Sequence, residues 1–292
     1  MASKYRSALF VLALSSASTA LSVTPPHQTH KREILIVAVS RDASLLTGGI
    51  EGPSNLAGNK VQLGIVGMLK PDGKIRKVLC DSDDQSECSA IESRYLSRPT
   101  TYRTISLSRG RVVTSIPTKV SDCYETSGMG TLRLRNVQTA LGATDTSAFG
   151  LVNAVGKVTS EQRRLLQVAA SELIARQSAS LPVLSLNRFE SVRLDGKSEV
   201  LLIAEGSSLA EKSYSMFFGV WRTMAGNYQL LLSNVASGFE EPENYIGTIR
   251  LRRESSDYIV TSTRNSEGYR FNMYALRHDH LVRVFQGGGG GC

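Results

Sequence analysis

Apolar and polar residues alternate along most of this chain in short runs, each closed by glycine, proline, asparagine or aspartate. That period of two is the pattern of strands with one face buried. "EILIVAV" (Glu33 to Val39) is instead continuously apolar and predicts a short strand buried on both faces. "KVQLGIVGML" passes through "KPDGK" into "IRKVLC", and Pro-Asp-Gly between two apolar runs predicts a hairpin. "TYRTISLS" and "RVVTSIP" form a second hairpin around Arg109-Gly110, and "GTLRLRNVQTAL" reads as one further strand. Later come "SLNRFESVRL", "SEVLLIAEG", "YSMFFGVWR", "YQLLLSNV", "YIGTIRLRR", "YIVTSTR", "YRFNMYALR" and "HLVRVF", spaced as an antiparallel meander.

One segment has a different period. In "TSEQRRLLQVAASELIARQSA", Thr159 and Gln162 have the spacing of a reciprocal N-terminal capping box. Leu165, Ala169 and Leu173 stack beside Leu166, Ala170 and Ile174, opposite Arg163, Arg164 and Gln167. This predicts an amphipathic packing helix over about 159–179. The fold class expected is therefore β-rich α+β: antiparallel hairpins or a meander, sandwich or barrel-like, with one main helix. The chain divides into a signal peptide (1–22), a linker (23–32), an N-terminal β-rich domain (33–150), a C-terminal α+β domain (151–286) and a flexible glycine tail ending in cysteine (287–292).

The signal assignment rests on Lys4 and Arg6 before the short apolar run Ala8 to Leu14. Small residues then offer cleavage at Ser18-Thr19-Ala20 or Ala20-Leu21-Ser22. The run is too short to span a bilayer and no later segment is apolar enough, so the expectation is a secreted or periplasmic protein with no membrane span. Net charge is +8, or +6 without Lys4 and Arg6. An excess of that size serves solubility, and it also suits an anionic envelope polymer or another exported protein as partner.

An exported chain is expected to oxidise its cysteines, Cys80, Cys88, Cys123 and Cys292. Cys80 and Cys88 flank "DSDDQSE", which has no core-forming residue, so a bridge between them would clamp a loop that burial cannot hold. Cys123 and Cys292 then remain. The glycines before Cys292 give it a reach of about 12 Å. It can staple the C-terminal strand to Cys123, form an intermolecular disulfide, or have no role.

"RLDGKSEVLLIAEG" resembles the end of the FG-GAP/VCBS-type repeat, through Asp195, Gly196, Glu199 and the run Val200 to Ile203. The resemblance covers Asp195 to Gly206 and implies a β-hairpin of the kind found in extracellular interaction domains. Arg193 and Ser191 occupy the places where calcium-binding members carry acidic ligands, so no metal is expected there. His278 and His280 in "RHDHL" read as the polar tip of a hairpin rather than a metal pair. No nucleophile motif is present, and Glu240 and Glu241 in "SGFEEPENY" read as an exposed loop. No catalytic, cofactor or metal residue is assigned. The remaining candidates are Arg133 with Arg135 and Arg250 with Arg252, each pair on one strand face with tyrosines near the second, as an anionic-ligand face. The functional expectation is a non-catalytic binding or structural module, with a secreted hydrolase of unrecognised site as the alternative.

Overall fold

Residues 33–143 place their strands in a ring. β1 (Ile34–Ser40), β2 (Lys60–Leu69), β4 (Thr101–Thr104), β5 (Val112–Ile116), β6 (Ser127–Leu132) and β7 (Thr139–Ala143) pair in the order β1-β7-β4-β5-β6-β2. β2 pairs again with β1, and the two-residue β3 (Ile75–Arg76) hangs from β2. Every pairing is antiparallel, so the ring is a closed six-stranded barrel. The computed structural model describes residues 32–41, 56–78, 86–96, 98–105, 112–116, 127–132, 139–150, 152, 157–177, 184–194, 200–210, 213–224, 227–237, 243–254, 256–265 and 268–287. All of these lie in one compact unit, Arg32–Cys292.

The barrel explains the continuous apolar run of β1. Leu35, Val37 and Val39 point inward with Val61, Leu63, Ile65, Tyr102 and Ala140, while Ile34, Ile36 and Ala38 point outward into a second core. Helix α1 (Ser86–Ile91), prolonged by one wider turn over Glu92–Leu96, adds Ile91 and Tyr95 to the inner cluster. Tyr102 donates to the Tyr95 carbonyl at 3.1 Å. Outside, Arg76 bridges Glu33 at 2.9 Å and also contacts Glu87 of α1, and the hydrogen bond from Arg76 holds the Glu33 carboxyl below its ordinary range. "GTLRLRNVQTAL", expected as one strand, contributes to two: β6 ends at Leu132 and β7 begins at Thr139. β6 starts as Ser-Gly-Met-Gly, a poor strand former alone, and is held because β2 and β5 flank it on both sides.

The second half is a meander folded into two sheets. β8 (Ser185–Arg193), β9 (Val200–Ala210), β10 (Ser213–Met224) and β11 (Asn227–Ser237) form an outer sheet. β12 (Glu243–Leu251), β13 (Ser256–Asn265), β14 (Gly268–Arg277) and β15 (His280–Gly287) form a middle sheet. All eight form where the sequence predicts strands, and β8 pairs antiparallel with β9 as expected of a hairpin there.

The middle sheet lies between two partners. Ile246, Ile249, Val260, Phe271 and Met273 pack on the barrel wall at Ile36, Ala38, Val66 and Leu141. A Cβ on Gly64 of that wall would lie 3.2 Å from the Phe271 ring, so glycine permits the close approach. On the other face Tyr245, Ile259, Tyr274 and Leu281 meet Ile203, Phe218, Val220 and Leu231 of the outer sheet. Residues 33–150 and 151–286 thus share a core across the barrel–sheet contact.

Helix α2 (Ser160–Gln177) covers the far face of the outer sheet, with Leu166, Ala170 and Ile174 against Leu202, Ala204, Phe217 and Trp221. The capping box forms: Gln162 N–H donates to Thr159 Oγ1 at 3.2 Å and Thr159 N–H donates to Gln162 Oε1 at 2.9 Å. Gln167, expected on the solvent side, turns instead to the edge of β8. Its Nε2 donates to Leu184 O at 2.6 Å, and Leu186 N–H donates to its Oε1 at 2.9 Å. One amide therefore takes the place of a neighbouring strand and blunts an open sheet edge. No helix among the described residues is long and apolar enough to cross a membrane.

A partly buried ion pair, with Glu205 the buried partner, ties the three sheets together. Arg188 of β8 reaches Glu205 of β9 at 3.1 Å, the Tyr245 carbonyl of β12 at 3.0 Å and Thr139 Oγ1 of β7 at 2.8 Å. Glu205 also accepts from the Tyr245 backbone N–H. Burial pushes the Glu205 carboxyl above its ordinary range, with the Arg188 charge pulling the other way.

Candidate functional site

The sheet-to-sheet face changes character along the strands. On β14, Tyr269, Phe271, Met273 and Ala275 face the barrel, which leaves Arg270, Asn272 and Tyr274 toward the outer sheet. Register aligns them in rows: Glu243–Thr263–Arg270, then Tyr245–Thr261–Asn272–Gln286, then Ile259–Tyr274–Arg283. A bulge between Tyr245 and Gly247 lets Ile246 and Ile249 both reach the barrel while Glu243 and Tyr245 face the opposite way.

The polar rows line a cavity of about 540 Å³ between the middle sheet and β11, which contributes Asn234, Val235 and Ala236. Its size falls in the range of small-molecule sites. Glu243, 5 % exposed, is the carboxylate in its lining. Glu243 Oε1 accepts from Thr261 Oγ1 at 2.5 Å, from Tyr274 Oη at 2.7 Å and from Asn272 Nδ2 at 3.4 Å. Among the described residues no hydrogen bond reaches Oε2. Asn272 is held in turn by Gln286, whose Nε2 donates to Asn272 Oδ1 at 3.2 Å. Burial, then the neighbouring Glu243 charge, pushes the Tyr274 phenol well above its ordinary value, so the ring keeps its proton and remains a donor.

Two further lining atoms set this region apart. Asn234 Oδ1 and Thr263 Oγ1 are buried and have no hydrogen-bond partner among the described residues. Buried polar atoms are paired in the great majority of cases, and each exception calls for a cause. Of the four such atoms among the described residues, these two line one cavity, from opposite sheets.

Of the arginine candidates, Arg250 and Arg252 lie elsewhere. Arg250 forms a two-point pair with Asp257 at 2.7 and 2.9 Å, and Arg252 donates to the Phe149 carbonyl at 2.7 Å. Both contact the segment that leaves the barrel, where Gly150 N–H also donates to Arg250 O at 2.9 Å. The tyrosines near them, Tyr245, Tyr258, Tyr269 and Tyr274, are all core residues rather than an aromatic face. Arg133, Arg135, Cys80, Cys123, Cys292, Glu240 and Glu241 lie outside the described residues. Cys88 falls within α1.

His278 and His280 are exposed at the β14–β15 turn, at the far end of β14 from the cavity. Between them Asp279 receives a hydrogen bond from Arg222 of β10 at 2.7 Å, which lowers its pKa. This is the polar tip expected from the sequence, braced onto the outer sheet. Glu243 was not among the sequence candidates, although it sits close to Glu240 and Glu241. The available signal was the row of alternating polar residues on β13 and β14, which reads as a wet face until a second sheet is known to cover it. No family model, no curated protein and no solved structure matches this chain.

Proposed function

We propose that this chain is an exported, non-catalytic binding protein that holds a small polar ligand in the cavity between β11 and β12–β15. The observation that carries the reading is the pair of unpartnered buried atoms, Asn234 Oδ1 and Thr263 Oγ1, facing a space that Glu243 and Asn272 also line. Such atoms cost about 1–3 kcal/mol each when left unmatched, and a ligand that bonds to them recovers that cost on binding. A hydrolase would need a second acid or base opposite Glu243. Among the described residues lining the cavity, Glu243 is the sole carboxylate and there is no histidine.

The compartment belongs to the same proposal. Residues 1–22 act as a cleaved signal, and export to the periplasm or cell exterior allows a Cys80–Cys88 bridge. Cys292 pairs with Cys123 or with another exported chain. Sequencing of the mature N-terminus and mass mapping of a non-reduced digest test these points directly.

The binding reading is tested by thermal shift, screening sugars, sugar acids and amino acids against wild type and Asn234→Leu. A compound that raises the melting temperature of wild type and not of the variant supports the cavity as the site. Equal shifts in both proteins, or none in wild type with any class, would overturn it.

A further inference from the structure

Resting on the cavity reading, we propose that the ligand is a hydroxylated carboxylate, a sugar acid bound free or as the end unit of an acidic polysaccharide. The inner wall is rich in acceptors. Asn234 Oδ1 and the Glu243 carboxylate call for hydrogen-bond donors on the ligand, and the Thr263 hydroxyl can accept from one or donate to it. Hydroxyl groups and ammonium groups both donate, and the flanks decide between them. Arg283, opposite Tyr274 in the β14–β15 register, lines one side, and Arg270 lines the other.

Arg283 is exposed, makes no ion pair among the described residues, and its charge is felt at Tyr274. Arg283 thus sets a cation at one flank of the lining, which repels an ammonium there and attracts an anion. A carboxylate is a planar acceptor matched to a guanidinium fork. Donors on one side and an anion on the other, on one small molecule, describe a sugar bearing a carboxylate. The +6 balance of the chain without Lys4 and Arg6 adds long-range attraction for such an anion.

The experiment is calorimetric titration of the exported protein with galacturonate and glucuronate, against galactose and glucose, and with trigalacturonide. The expected result is that at least one sugar acid binds about tenfold or more tightly than its neutral counterpart, as a charge-assisted bond implies. Arg283→Gln, an exposed change, should bring that ratio close to one by weakening the sugar acid more than the neutral sugar. Asn234→Leu should weaken acid and neutral sugar together.

A trigalacturonide that binds more tightly than the monomer identifies the polymer end as the source; equal or weaker binding identifies the free sugar acid. Equal affinity of acid and neutral sugar in wild type would overturn the anion assignment and leave the cavity reading standing. So would a ratio unchanged by Arg283→Gln. No binding by any sugar overturns the sugar-acid inference, and the cavity reading then stands or falls on the wider thermal-shift screen.

Discussion

Glu205 and Glu243 both lie buried where the outer and middle sheets face each other, and their surroundings differ in kind. Glu205 meets a fixed cation and a backbone donor, and Arg188 carries the contact on to β12 and β7. Every partner there belongs to the chain. Glu243 is held by neutral groups alone, Thr261, Tyr274 and Asn272, and all three converge on one oxygen. The first arrangement completes itself and joins three sheets. The second is complete on one side only and faces open space. A buried carboxylate is thus informative chiefly through what stands opposite it: a guanidinium within the fold makes a brace, and neutral donors beside a cavity leave one oxygen open.

The largest expected effect is at the brace. Arg188→Ala leaves Glu205 buried without its cation, and urea denaturation should show a loss of about 3–5 kcal/mol. A loss below about 1 kcal/mol would erase the distinction drawn here. At the cavity, Glu243→Gln keeps the shape and weakens the bonds from Thr261 and Tyr274. It should cost about 1–2 kcal/mol in the same assay while abolishing ligand binding.

A smaller change has the opposite sign. Thr263→Val removes a buried hydroxyl that has no partner, and should raise the stability of the ligand-free protein by up to about 1 kcal/mol. The same kind of simplification destabilises one carboxylate region and stabilises the other. A clear loss of stability in this variant would mean that the hydroxyl is already satisfied.

The smallest effect is in pH dependence. The folded pKa of Glu205 is raised by burial, so the folded chain binds a proton that the unfolded chain does not. Its contribution is fully present below the unfolded glutamate value and is lost as pH rises through the raised folded value. Wild type should therefore gain stability relative to Glu205→Gln as pH falls through that window. Paired denaturation curves from neutral pH to the ordinary glutamate range would show it. The opposite trend would mean that Arg188, rather than burial, dominates the carboxyl.

These tests bear on what could be read in advance. The capping box at Thr159 and Gln162 is contained within four residues, and it forms as the spacing predicts. The strands from β8 to β15 were equally legible, because within each of their two sheets every strand pairs with its neighbour in sequence. The barrel was not. Its closure depends on β2 pairing with both β1 and β6, and on β7 lying between β1 and β4, which are choices between distant segments.

Gln167 was misplaced for a related reason: helical periodicity counts it as polar and cannot know that β8 offers free backbone groups beside it. The cavity was hidden by the same ambiguity. Arg270, Asn272 and Thr263 alternate with core residues just as solvent-facing residues do. Only the packing of a second sheet turns that face inward.

The placement of β12–β15 between barrel and outer sheet also governs the order in which the molecule can be assembled as it is made. The barrel wall at Ile34, Ile36, Ala38 and Val66 is translated early, yet the strands that cover it come after residue 242. Until those strands emerge, a greasy flank of the nascent barrel has nothing of its own chain to lie against. Synthesis of the centre comes last. A ribosome stalled between β11 and β12 would leave two half-built bodies with matching sticky faces, and the chain's dependence on holding factors should be greatest at that point.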